Sequence, residues 1–116
     1  DFNKFIYTET LDNYCSINKV NNISFIKIDV EGMEIEILNG SEKVIEEFNP
    51  NLFIEINEAQ YLKKNLSIEP YLINFEKKGK KFYLENTKNR SFNEKSLLEI
   101  LRKIKLNKNN FNLFIS

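Results

Sequence analysis

The strongest constraint on what this chain can fold into is a pair of short apolar runs with a helical stretch between them. The first, I-S-F-I-K-I at residues 23–28, is rich in β-branched and aromatic side chains and stops at the polar Asp29 and the turn-forming Gly32. The second, L-F-I-E-I at residues 52–56, follows Asn49 and Pro50, and a residue before proline is pushed out of the helical region. Between them Ile37, Leu38, Ser41, Val44, Ile45 and Phe48 recur at helical spacing, with Glu34, Glu36, Glu42, Lys43, Glu46 and Glu47 on the other side. Asn39 and Gly40 interrupt that pattern. A glycine inside a helix costs about 1 kcal/mol relative to alanine, so Gly40 is expected to cap one short helix and Ser41 to start the next. Strand, crossover and strand make a β-α-β unit, and the length of the crossover implies parallel pairing. This is the seed of a doubly wound α/β sheet.

The rest of the chain extends the alternation. Residues 5–8 read as a short strand, and Thr10 as the N-cap of a helix through Leu11, Tyr14 and Ile17. Residues 70–78 predict a short helix ended by Gly79, residues 81–85 a strand, and residues 92–105 a helix with Leu97, Leu98, Leu101 and Ile104 on one face. F-N-L-F-I within residues 110–116 supplies a last strand. Residues 57–69 are polar and irregular, and a long loop in a compact domain is often functional.

Composition narrows the chemistry. At 116 residues the expectation is a single domain. Seventeen basic against seventeen acidic residues leave no net field to draw the chain to nucleic acid or to an anionic membrane. The basic run around Gly79 reads as a solvated turn. No apolar run approaches the ~20 residues of a membrane span, and no secretory start is seen. Cys15 is the only cysteine, which fits a reducing compartment, and the cytoplasm is the expected location. With no histidine in the sequence, any acid, base or metal chemistry falls to carboxylates.

In open α/β sheets, ligands bind beyond the carboxyl ends of the strands. Asp29 and Glu31 leave the first strand, and Glu55 and Asn57 the second. Two carboxylate-bearing strand ends facing one pocket can serve as a hydroxyl-activating base or as hard-oxygen ligands for Mg²⁺. Each residue also has a plainer reading. Asp29 suits a strand-end turn and Glu31 a helix-start carboxylate favoured by the helix dipole, while Gly32 lets the turn pass close to a ligand or a neighbouring strand, or is a plain tight turn. Glu55 alternates with Ile54 and Ile56, so it points away from them, toward a polar environment.

T-L-D-N-Y-C at residues 10–15, F-I-K-I-D-V-E-G-M-E-I-E-I-L-N-G at residues 25–40 and P-N-L-F-I-E-I at residues 50–56 together resemble the FkbM family of S-adenosylmethionine-dependent methyltransferases. The resemblance implies a partial Rossmann-like class I methyltransferase sheet, mostly parallel with an antiparallel last strand, of which this chain supplies the fourth to seventh strands. It implies S-adenosylmethionine as cofactor and O-methylation of a hydroxyl on a small molecule or sugar. By position, Asp29, Val30 and Gly32 would face the cofactor, Asp29 and Glu31 would carry the proton chemistry, and Glu55 and Asn57 would face the acceptor. The family's glycine-rich cofactor-binding segment has no counterpart among these residues. Residues 1–116 are therefore expected to be the C-terminal half of a methyltransferase domain, with the missing N-terminal half of that domain as its partner.

Two other readings compete. I-D-V-E-G is distantly like the D-x-D-G loop of haloacid-dehalogenase-like phosphatases, whose first Asp attacks phosphorus, although Glu31 and Met33 depart from that pattern. A truncated module that folds or associates without catalysis is the third.

Overall fold

The two apolar runs form β1 (Phe25–Ile28) and β2 (Asn51–Ile56), paired in parallel with Phe25 opposite Asn51 and Ile28 opposite Ile54. The structure is a computed structural model that describes residues 9–106 and 109–116; the strand expected over residues 5–8 lies outside the described residues. Helix α1 (Leu11–Ile17) begins where Thr10 predicts, its Oγ1 accepting the Asn13 N–H at 3.1 Å.

The crossover is two helices, α2 (Glu34–Asn39) and α3 (Glu42–Phe48), broken at Gly40 and Ser41 as expected. Ser41 is not the side-chain cap its type predicts, because its hydroxyl donates back to the Ile37 carbonyl at 2.7 Å. Asp12 of α1 caps α3 instead, its two carboxylate oxygens accepting the Lys43 and Val44 N–H groups at 2.9 and 2.8 Å. Leu38, Ser41, Val44 and Ile45 are buried as expected, and the departure lies in α2. Ile35 is buried there, whereas Ile37 is exposed and Glu34 fully buried. With the helix broken at Gly40, one periodic face does not run through both halves.

Beyond β2 follow α4 (Glu58–Leu62), α5 (Glu69–Lys77), β3 (Phe82–Asn86), β4 (Ser91–Lys95), α6 (Leu97–Leu106) and β5 (Phe111–Ile115). Residues 57–69 are thus not an irregular loop. They hold α4, and Glu58 closes the stretch by accepting the Ser67 hydroxyl at 2.7 Å and the Ile68 N–H at 2.9 Å. The helix expected from residue 92 starts later, because residues 91–95 pair with β3 as a hairpin. Its start is marked by a capping box at Ser96 and Glu99: the Ser96 Oγ accepts the Glu99 N–H at 3.2 Å and the Glu99 Oε1 accepts the Ser96 N–H at 3.3 Å.

The sheet runs β1-β2-β5-β3-β4. The expectation of a mostly parallel sheet is corrected: β1–β2 is the parallel pair, and β2–β5, β5–β3 and β3–β4 are antiparallel. The last strand is antiparallel, as expected, and that is the cause. By lying between β2 and β3 it replaces one parallel contact with two antiparallel ones, and the hairpin strand β4 adds a third.

The helices cover one face of the sheet, where Ile28, Leu52, Ile54, Phe82, Leu113 and Ile115 pack against Ile35, Leu38, Tyr61, Leu72 and Ile100. Each such side chain taken from water contributes roughly 1.5–3 kcal/mol. The opposite face carries aromatic rings: Phe25 and Tyr83 pack on Phe114, and Phe53 on Phe92, with centroids 5.9–6.5 Å apart. Lys80 is buried at the start of β2, its Nζ donating to the Pro50 carbonyl at 3.0 Å, and burial pushes its ammonium below the usual lysine range. Among the described residues no helix is long and apolar enough to cross a membrane.

Candidate active site at the ends of β1 and β2

Parallel pairing with Ile28 opposite Ile54 brings Asp29 and Glu55 out side by side on one rim of the sheet. Glu55 alternates away from the buried Ile54 and Ile56, as its spacing predicts, and lies half-buried with Oε1 accepting from the Asn110 amide at 3.3 Å. Partial burial, and after it the nearby Asp29 and Glu34 carboxylates, push the Glu55 carboxyl above its ordinary value. A carboxyl raised in the folded state favours folding when protonated and opposes it when ionised. Glu55→Gln is therefore expected to stabilise the protein by a few tenths of a kcal/mol at neutral pH, the repulsion being largely screened by solvent. That gain should vanish as the pH falls through the ordinary glutamate value of 4.5, which denaturant titrations at pH 7 and pH 4 would measure.

The turn after β1 is built on two left-handed residues, Glu31 at φ 49° and Gly32 at φ 101°. A side chain at Gly32 would be strained by that φ, and its Cβ would also lie 3.0 Å from the Cβ of Gln60 in α4. The tight turn holds, and the close approach expected to a ligand or a neighbouring strand is instead to a helix. Asp29, Val30 and Glu31 are exposed on this turn, Val30 at 40%.

What holds the turn in place is Glu34, which sequence periodicity puts on the solvent side. Its carboxylate is fully buried. Oε2 accepts the Val30 N–H at 2.9 Å, and Oε1 accepts the Gly32 N–H at 3.0 Å and the Tyr61 hydroxyl at 2.8 Å. The helix-start carboxylate foreseen at Glu31 is in fact supplied three residues later. Lys64 closes the other side, its Nζ donating to the Gly32 carbonyl at 3.1 Å and to Glu36 at 2.7 Å, which holds the Glu36 carboxyl below its usual range. Gly32 therefore shapes the loop with both its backbone groups engaged, while Val30 keeps an accessible apolar side chain.

Asn57 is buried, and its backbone is what the site uses: its N–H donates to the Tyr61 Oη at 3.0 Å, and its carbonyl accepts from Gln60 and Tyr61 as α4 begins. Burial, then the bond to Glu34, raise the Tyr61 hydroxyl far above the ordinary tyrosine value, so it stays protonated. Sequence reasoning missed Glu34, Tyr61 and Lys64. The one available signal was a second glutamate three residues after Glu31, directly ahead of an apolar helix. Among the described residues no three acidic or cysteine side chains gather closely enough to hold a metal ion.

A family model described as the methyltransferase FkbM domain matches residues 4–113. The chain belongs to the FkbM methyltransferase family. No curated protein and no solved structure matches it. The FkbM match covers the β1 turn, the crossover, β1 to β4 and the first three residues of β5, and neither the phosphatase reading nor the non-catalytic one draws support from it.

Proposed function

We propose that this FkbM domain takes part in S-adenosylmethionine-dependent methylation of a hydroxyl on a small molecule or sugar. The observation that carries this reading is the delivery of Asp29 and Glu55 to one rim by adjacent parallel strands, beside a turn locked from beneath by Glu34. The residues present fit one side of such a site. The carboxylates of Asp29, Glu31 and Glu55 complement a cationic ligand, and the exposed Val30 side chain offers an apolar edge to a heterocycle. The second wall of the cleft, in this proposal, comes from a glycine-rich segment outside these 116 residues, the partner half of the same domain.

S-adenosylmethionine, when bound, supplies a methyl group on a sulfonium, open to in-line attack. Transfer then requires that the acceptor oxygen be aligned and its proton removed. Asp29 is the proposed base: its carboxylate would take the proton of the acceptor hydroxyl. Glu31 is the alternative base, two residues further along the same turn. Glu55 and the neighbouring Asn57 border the acceptor side, where Glu55 accepts hydrogen bonds from acceptor hydroxyls.

Reading the coding sequence upstream of Asp1 for an acidic residue followed by glycines in E/D-x-G-x-x-x-G spacing is the first test. Calorimetric titration of the longest natural chain with S-adenosylhomocysteine is the second. Saturable one-to-one binding is expected, and a full-length protein that binds none would sink the reading.

A further inference from the structure

One hydroxyl joins the two strand ends of the site. The Tyr61 Oη donates to Glu34 Oε1 at 2.8 Å, with the Glu55 carbonyl also in range at 3.2 Å, and it accepts the Asn57 N–H at 3.0 Å. Glu34 in turn holds Val30 and Gly32. Both side chains are completely buried beneath the rim. The path from Val30 and Gly32 through Glu34 and Tyr61 to Asn57 is continuous, and each buried donor or acceptor on it would be costly to leave unmade.

We propose that Glu34 and Tyr61 are positioning residues that fix the β1 turn, bearing Asp29, relative to the end of β2, bearing Glu55. The argument rests on the functional reading above and deepens it. Neither residue reaches the rim itself: Glu34 spends its carboxylate on two backbone N–H groups and a hydroxyl, and Tyr61 spends its hydroxyl on the other strand's end. A ligand that presses on the exposed Asp29–Glu31 turn is therefore felt at Asn57 without touching it. Buried networks of this kind hold reacting groups in the narrow range of geometry that transfer needs.

The test is Tyr61→Phe in the full chain, which keeps the buried ring and deletes the hydroxyl. Amide exchange at Val30, Gly32 and Asn57 should quicken about tenfold while Ile54 and Leu113 in the sheet stay unchanged. Saturating S-adenosylhomocysteine should slow exchange at Asn57 in the parent and not in the variant, and its affinity should fall by about tenfold. Glu34→Gln supplies a second variant. Its amide would keep an acceptor for Gly32 and Tyr61 but set a donor against the Val30 N–H, so Val30 alone should quicken. Uniform or absent exchange changes in both variants would overturn the linkage, whereas selective exchange with undiminished affinity would overturn its positioning role. If the parent itself binds no S-adenosylhomocysteine, the functional reading fails, and positioning with it. Selective exchange would then survive as a purely structural linkage.

Discussion

Glu34→Leu is expected to destabilise the protein by about 3–5 kcal/mol, since two backbone N–H groups and a tyrosine hydroxyl lose their partner at once and each unmade buried bond costs roughly 1–3 kcal/mol. Leucine fills similar volume, so the loss isolates hydrogen bonding from packing. Against a total stability on the order of 5–15 kcal/mol, this is one of the largest effects a single substitution here can have. Chemical denaturation of parent and variant gives the number. The double variant Glu34→Leu with Tyr61→Phe should cost less than the sum of the singles, because either one alone already strands the shared bond. A change below about 1 kcal/mol for Glu34→Leu would mean that water reaches the cavity and satisfies the turn without the carboxylate.

The second large effect is on turnover. Asp29→Asn in the full-length methyltransferase should lower kcat/KM by about 10²- to 10⁴-fold, the ordinary contribution of a positioned general base. Stability should hardly move, because Asp29 is exposed and substitutions at such positions usually stay within about 0.5 kcal/mol. Loss of activity with an unchanged unfolding midpoint would separate chemistry from folding. Glu31→Gln, equally exposed, is the control. If turnover collapses there and survives in Asp29→Asn, the base is Glu31, and if both variants stay active the rim carboxylates take no proton.

The sequence made some of this legible because local physics and tertiary context agreed. The β-branched runs around Ile26 and Ile54, the Thr10 cap, the break at Gly40 and the alternation of Glu55 all appear where elementary rules put them. The failures come from partners distant in sequence. Asp12 displaces Ser41 as the cap of α3, which no local rule can foresee. Periodicity assigned Glu34 to solvent since carboxylates are seldom buried unpaired, and its partners on the preceding turn and on Tyr61 overturn that prior. Tyr61 went unnoticed inside a stretch too polar to read as a helix. The last helix, expected from residue 92, gives way to strand over residues 92–95 because pairing with Phe82–Asn86, a partner the local pattern does not show, decides them.

The position of β5 has a consequence for how the molecule comes to be made. β2 and β3 do not pair; the strand of residues 111–115 stitches them together, and without it the sheet falls into two half-sheets. During synthesis the strands of residues 25–95 must therefore wait unfinished until a latecomer is threaded into the middle rather than added to a border. Such an assembly order is dominated by long-range closure and folds slowly, so nicking or trimming just before Phe111 removes the keystone and not a fringe.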